Sequence, residues 1–268
     1  MGDPPKSFEP SESLDWQGRP VDCSTCLHSG LLFGGGCGPL KACVHDRYAK
    51  RIDRFFGKFP ELALDYMGHP YFEVRAVGAK YLDIFHLARL RNDPDETVRS
   101  VVALRLPLRQ LLAMRNDPDR EVRIRVASRL PPEDLEPMMH DDDYYVRIIV
   151  AKRLPGGMLP LMLRDPDRSV RTVVAGRVAE DMLPAMAGDP DGMVRLAAIM
   201  RLPPHQLPAF RHDPDWRVRH DVAQHIGIEH LPELANDEDE AVREMALARL
   251  NEHPSESSEA ARRSNDEN

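Results

Sequence analysis

The dipeptide Val-Arg recurs at 74–75, 98–99, 122–123, 146–147, 170–171, 194–195, 218–219 and 242–243, a step of 24 residues with no insertion or deletion. Eight near-identical units over residues 69–253 bury their apolar faces by stacking each unit on the next, so the chain is expected to form a solenoid. The unit reads DPDxxVRxxVAxRLPxxxLPxM. Its first Asp suits a helix N-cap, the following Pro the first helical position, and the second Asp the positive end of the helix dipole. A helix of some 13 residues then runs to a Pro: Pro107, Pro131, Pro155 or Pro203.

Counting from the anchor Val, apolar residues return at +4, +5 and +8, as in Val98, Val102, Ala103 and Leu106. At about 100° per residue they form one buried arc. Only about ten residues remain for the return path, too few for a second α-helix to span a helix rising at about 1.5 Å per residue. A 3₁₀ segment at about 2.0 Å per residue fits. Leu111, Leu135, Leu159, Leu183, Leu207 and Leu231, with Met114, Met138, Met162, Met186, Phe210 and Leu234, cover the core from that side. No stretch alternates with period two, so the fold class is all-α with little or no sheet.

All four cysteines, Cys23, Cys26, Cys37 and Cys43, fall within 21 residues of one another, spaced C-x2-C-x10-C-x5-C. A disulfide framework would staple distant parts of a small secreted domain instead. The first twenty residues carry no apolar segment of signal-peptide kind, and no 18-residue apolar run offers a membrane span, so a reducing cytoplasmic setting is expected. Thiolates there read as ligands of a Cys-coordinated zinc or of an iron–sulfur cluster, and the spacing leaves both open. Gly30, Gly34, Gly35, Gly36 and Gly38 permit close backbone approach, with N–H groups pointing at sulfur. His28 and His45 are expected at the rim.

The expected organisation is a flexible N-terminus over 1–20, a cysteine-ligated metal domain with a linking helix over 21–68, repeats over 69–253, and a disordered polar tail over 254–268. The first unit is degraded, with His69, Pro70 and Tyr71 where DPD should stand, and reads as a cap.

The DPDxxVRxxVAxRLP unit at a strict 24-residue period resembles the leucine-rich repeat variant proteins, and the cysteine segment resembles the iron–sulfur domain attached to some of them. The resemblance implies a right-handed superhelix of alternating α and 3₁₀ helices, and a 4Fe–4S cluster in place of zinc, with Cys23, Cys26, Cys37 and Cys43 as its iron ligands. The units also resemble HEAT repeats, which are longer and use two α-helices. Units with Ile199 or Leu247 in place of Ala depart most from the pattern. No reaction comes with the resemblance.

Thirty of the 36 basic residues are Arg. Those following each anchor Val (Arg75, Arg99, Arg123, Arg147, Arg171, Arg195, Arg219 and Arg243) lie inside the buried arc and are expected to pair with repeat carboxylates. A second series, Arg105, Arg129, Arg153, Arg177, Arg201 and Arg249, sits at the rim and is the candidate for nucleic-acid contact, although a net charge of −8 opposes that partner. His212, His220, His225 and His230 are close in sequence but fall on different faces. Carboxylates recur in every unit, whereas an active site is unique, so catalysis finds no support. The expected function is a protein-interaction scaffold with a structural or redox-sensing cluster; electron transfer to a partner docked on the repeats is the alternative.

Overall fold

A computed structural model describes residues 11–252. The expectations for residues 1–10 and for the tail over 254–268 lie outside the described residues. Within the span expected to be flexible, residues 11–20 are tied down: Leu14 bridges Pro20, Arg47 N–H donates to Leu14 O at 2.8 Å, and Ser13 Oγ donates to Asp46.

The chain divides into two compact units at the Pro131–Pro132 junction. The first holds the cysteine segment, a linking helix Ala49–Lys58, a 3₁₀ helix Pro60–Tyr66, and repeat helices Phe72–Ala79, Glu96–Arg105 and Arg120–Arg129. The second holds Tyr144–Arg153, Arg168–Ala175, Gly192–Ile199, Trp216–His225 and Glu240–Glu252. Return segments are 3₁₀, as in Gly156–Met162 and Pro204–Phe210, or one α turn joined to 3₁₀, as in Leu108–Leu111 and Leu112–Met114. Among the described residues there is no strand, only isolated bridges.

The buried arc falls where the periodicity places it. Val98, Val102, Ala103 and Leu106 are fully buried, as are their counterparts Val146, Val150, Ala151 and Leu154, and Leu111, Leu135 and Leu159 close the core from the return side. Each such Val or Leu contributes about 1.5–3 kcal/mol.

Two details differ from expectation. The repeat helices before the last are 8 to 10 residues long, as in Phe72–Ala79 and Glu96–Arg105, not 13. The N-cap is the second Asp: Asp95 accepts from Thr97 N–H, and Asp119 from Glu121 and Val122 N–H. The first Asp is occupied otherwise. Asp117 takes a two-pronged grip from Arg99 of the preceding repeat, Nε to Oδ2 at 2.8 Å and Nη2 to Oδ1 at 2.9 Å, and also accepts Asp119 N–H at 2.9 Å. With its carboxylate claimed by Arg99, it leaves the capping to Asp119. Arg99 Nη1 meanwhile donates to the carbonyls of Asp93 and Pro94. The same rung joins Arg75 to Asp93 in the first unit, and Arg147 to Asp165, Arg171 to Asp189, Arg195 to Asp213 and Arg219 to Asp237 in the second. In the degraded first repeat, His69 Nδ1 accepts Tyr71 N–H at 3.1 Å, so an imidazole reproduces the Asp turn.

Candidate metal centre

The cysteine segment is built from turns. Cys23 and Cys26 precede the single helical turn Ser29–Phe33, Cys37 sits in the glycine-rich turn after it, and Cys43 lies just before the linking helix. Gly35 has φ of +68°, and Gly36 passes so close to Phe59 that a Cβ would fall 2.7 Å from its Cζ. Glycine is thus required there to fold the loop against the linking helix. Lys58 Nζ fixes the loop by donating to Gly36 O at 2.9 Å. From below, Asp46 and Arg51 form a buried pair at 2.9 Å, and Arg51 also donates to Glu12 O, fastening the N-terminal stretch to the Cys43 loop.

All four thiols line one small, mostly apolar cavity, together with Val21, Leu32, Val44, Phe55, His28 and His45. Cys43 is buried, 7% exposed, while the other three are half-exposed. Burial pushes the Cys43 thiol up to about 11, against the pull of the His45 and Asp46 backbone N–H groups. Burial also raises Cys23 and Cys37, and the sulfur charges of their neighbours add to it: Cys26 acts on Cys23, and Cys26 and Cys23 act on Cys37. A metal's positive charge would offset that burial and mutual repulsion and favour the thiolate forms. His28 N–H donates to Cys26 Sγ at 3.4 Å. Backbone N–H groups of His28, His45 and Asp46 thus reach sulfur. The residues present fit a thiolate-bound metal group.

The neighbouring polar groups have their own partners. His28 Nε2 lies 2.7 Å from Tyr66 Oη. Burial, reinforced by the Cys26 and Cys43 sulfurs, raises the Tyr66 phenol, so it keeps its proton. Burial lowers His45. Tyr66 and the Asp46–Arg51 pair escape sequence reasoning, although an Arg inside the apolar stripe Ile52, Phe55 and Phe56 is the available signal.

The family described as LRV protein FeS4 cluster matches residues 13–65, and that described as leucine rich repeat variant matches 120–143 and 144–167. A solved structure, described as a leucine-rich repeat variant with a novel repetitive protein structural motif, is 44% identical, covers 86% of this chain and 99% of its own, and superposes with a TM-score of 0.82. The chain belongs to the leucine-rich repeat variant family. A further relative of it is the uncharacterized 27.7 kDa protein in the nifB 3′ region of Rhodobacter capsulatus, 48% identical over 90 residues, which are 34% of this chain and 37% of that protein. As a leucine-rich repeat variant protein with the FeS4 domain, the chain has an iron–sulfur module at its four cysteines' end of the sequence and an all-α repeat fold after it.

Elsewhere the repeats offer fewer free groups than the sequence led us to expect. The rim arginines, exposed at Arg177 and half-buried elsewhere, use part of their guanidinium to cap carbonyls near the end of the preceding repeat's helix: Arg129 on Ala103 O, Arg201 on Ala175 O, and Arg249 on Ala223 O and Ile226 O. Orphan carbonyls at a helix C-terminus attract a cation, which explains these caps. His212 lies 3.0 Å from Glu233, and His225 Nδ1 is 2.9 Å from Asp221 O, so these histidines share no site. Among the described residues no three His, Cys, Asp or Glu side chains gather tightly enough for a single metal ion, and no helix is long and apolar enough to cross a membrane.

Proposed function

We propose that this chain is a non-catalytic interaction scaffold whose N-terminal module carries a 4Fe–4S cluster held by Cys23, Cys26, Cys37 and Cys43, with a structural or redox-sensing role, in a reducing cytoplasmic compartment. The observation that carries it is four thiols bordering one apolar cavity inside the segment that matches the FeS4 cluster family. When bound, such a cluster supplies a one-electron couple. Cys43 forms the floor, Leu32, Val44 and Phe55 exclude water, and the His28, His45 and Asp46 N–H groups stabilise sulfur charge. The scaffold role draws support from the repeats, whose ionic groups recur as rungs and caps instead of forming one unique constellation.

Electron transfer is the second reading, favoured by the partial exposure of Cys23, Cys26 and Cys37, which puts the centre within reach of the surface. Anaerobic purification with iron and sulfide counts, absorption and paramagnetic-resonance spectra tests the cofactor; about four irons and four sulfides per chain are expected, and stoichiometric zinc sinks the reading. Partner binding that differs between oxidised and reduced protein supports sensing, and a reversible couple within the physiological range supports electron transfer.

A further inference from the structure

Three of the four thiols sit on a stretch that apolar packing does little to hold. None of residues 23–37 is buried, and Leu27 and Phe33 are 92% and 90% exposed. The sulfurs there depend more on directed hydrogen bonds than on burial. His28 makes such contacts in three directions. Its backbone N–H donates to Cys26 Sγ at 3.4 Å, the Cys37 thiol donates to its backbone carbonyl at 3.8 Å, and its Nε2 lies 2.7 Å from Tyr66 Oη. Tyr66 is buried at the end of the 3₁₀ helix Pro60–Tyr66. Its ring centroid lies 5.8 Å from those of Phe56 and of His28, and 6.1 Å from that of His45. One phenol thus braces His28, whose amide reaches Cys26, and His45, whose amide reaches Cys43. A phenylalanine would fill the same space, so packing leaves the hydroxyl unexplained.

We propose that Tyr66 is a positioning residue for the centre at the four cysteines: by holding the His28 imidazole it fixes the amide that donates to Cys26, and so raises the centre's reduction potential. Hydrogen bonds to the ligand sulfurs are among the levers that set the potential of an iron–sulfur group. An N–H disperses negative charge on sulfur, and the reduced form carries more of it, so each such bond favours reduction. Tyr66 does not itself line the thiol cavity, whereas His28 and His45 do. Its influence therefore passes through them. Tyr81 offers the comparison, since its hydroxyl donates to Asp53 O of the linking helix at 3.2 Å. The proposal rests on the cluster reading for the identity of the redox group.

The test uses the full chain, loaded anaerobically, with iron and sulfide counts, a redox titration followed by paramagnetic resonance, and release of iron to a chelator. Tyr66→Phe is expected to keep the far-ultraviolet helical signal, to shift the potential to a more negative value, and to hold iron about tenfold less tightly. His28→Val takes away the other partner of the same bond and is expected to shift the potential the same way. The double variant goes no further than either single one, because one bond is lost in all three. His28→Gln, whose amide can still meet the hydroxyl, is expected to recover most of the wild-type potential, and Tyr81→Phe to leave it unchanged. An unchanged potential in Tyr66→Phe and His28→Val overturns the proposal, as do shifts that add in the double variant or an equal shift in Tyr81→Phe. A potential for His28→Gln equal to that of His28→Val overturns it as well, and this pair decides if Tyr66→Phe does not fold. Wild-type protein with full iron and sulfide, matched by its variants, sinks the positioning role alone. Stoichiometric zinc in the wild type sinks the cluster reading and the redox effect with it, while the chelator comparison still decides whether Tyr66 positions the thiolates.

Discussion

At the scale of single residues, the two aspartates of each DPD do different work, and substitution separates them. Asp117 is buried and gripped by Arg99. Asp117→Ala leaves a guanidinium in the interior without its carboxylate and costs about 3–5 kcal/mol. Asp119→Ala removes only a helix cap and costs about 1 kcal/mol. Urea-unfolding midpoints of the two variants check the ranking, and equal shifts refute it. Asp221 has the opposite sign. It is buried, its Oδ2 has no hydrogen-bond partner among the described residues, and burial raises it in spite of His225 and His220. A carboxyl raised in the fold costs stability once the pH exceeds both its unfolded value, near 3.8, and its folded one. Asp221→Asn is therefore expected to stabilise by about 1 kcal/mol at neutral pH, with the gain fading as the pH falls toward 3.8; a thermal-melt series across pH reads this directly. For Asp237, burial pulls upward, but the Arg219 contacts and the Asp239 N–H outweigh it and hold the carboxyl low. Its contribution is complete above 3.8 and is lost as the pH drops through its lower folded value.

At the scale of elements, the period-24 pattern made the helix, the proline stop and the 3₁₀ return readable, because each follows from local sterics and from which face must be buried. The start of the helix was not readable to within two residues, since both Asp93 and Asp95 are competent caps and only the demand of Arg75 for Asp93 decides between them. The return segment Gly156–Met162 gives a prediction of its own. Neither Gly156 nor Gly157 needs a positive φ, and a Cβ on either meets open space. Gly157→Ala should raise the melting midpoint by the equivalent of about 0.4–1 kcal/mol, mainly by restricting the unfolded chain. A lower midpoint would show that the glycine serves the fold.

At the scale of the whole molecule, the cysteine module and the later repeats differ in what holds them. The helices from Glu96 onward bury Val, Ala and Leu around cores that contain no cysteine, whereas the loop over 23–43 contributes only Ala42 and Cys43 to the core. Anaerobic removal of iron by a chelator is expected to abolish the visible absorption while most of the far-ultraviolet helical signal survives. Parallel loss of both signals would mean that the repeats depend on the metal. The gathering of four thiols around one hollow was legible because C-x2-C with two later cysteines is the pattern that a thiolate-bound metal group requires. The pairing of Tyr66 with His28 was not, because 38 residues separate them and nothing in either local pattern points to the other.

The sequence alone determined the repeat, its length, its buried arc and the identity of the four thiols, since all of these are set by contacts within about one repeat. Only tertiary structure decided which aspartate caps and which is clamped, that the rim arginines cap carbonyls of the preceding repeat, and that Lys58 fastens the glycine-rich loop to the linking helix. Each of those choices depends on a neighbour 18 or 26 residues away, or on the folding of a loop against a helix. A charged side chain settles on whatever partner packing brings within hydrogen-bond reach, and a periodicity along the chain does not encode that distance across it.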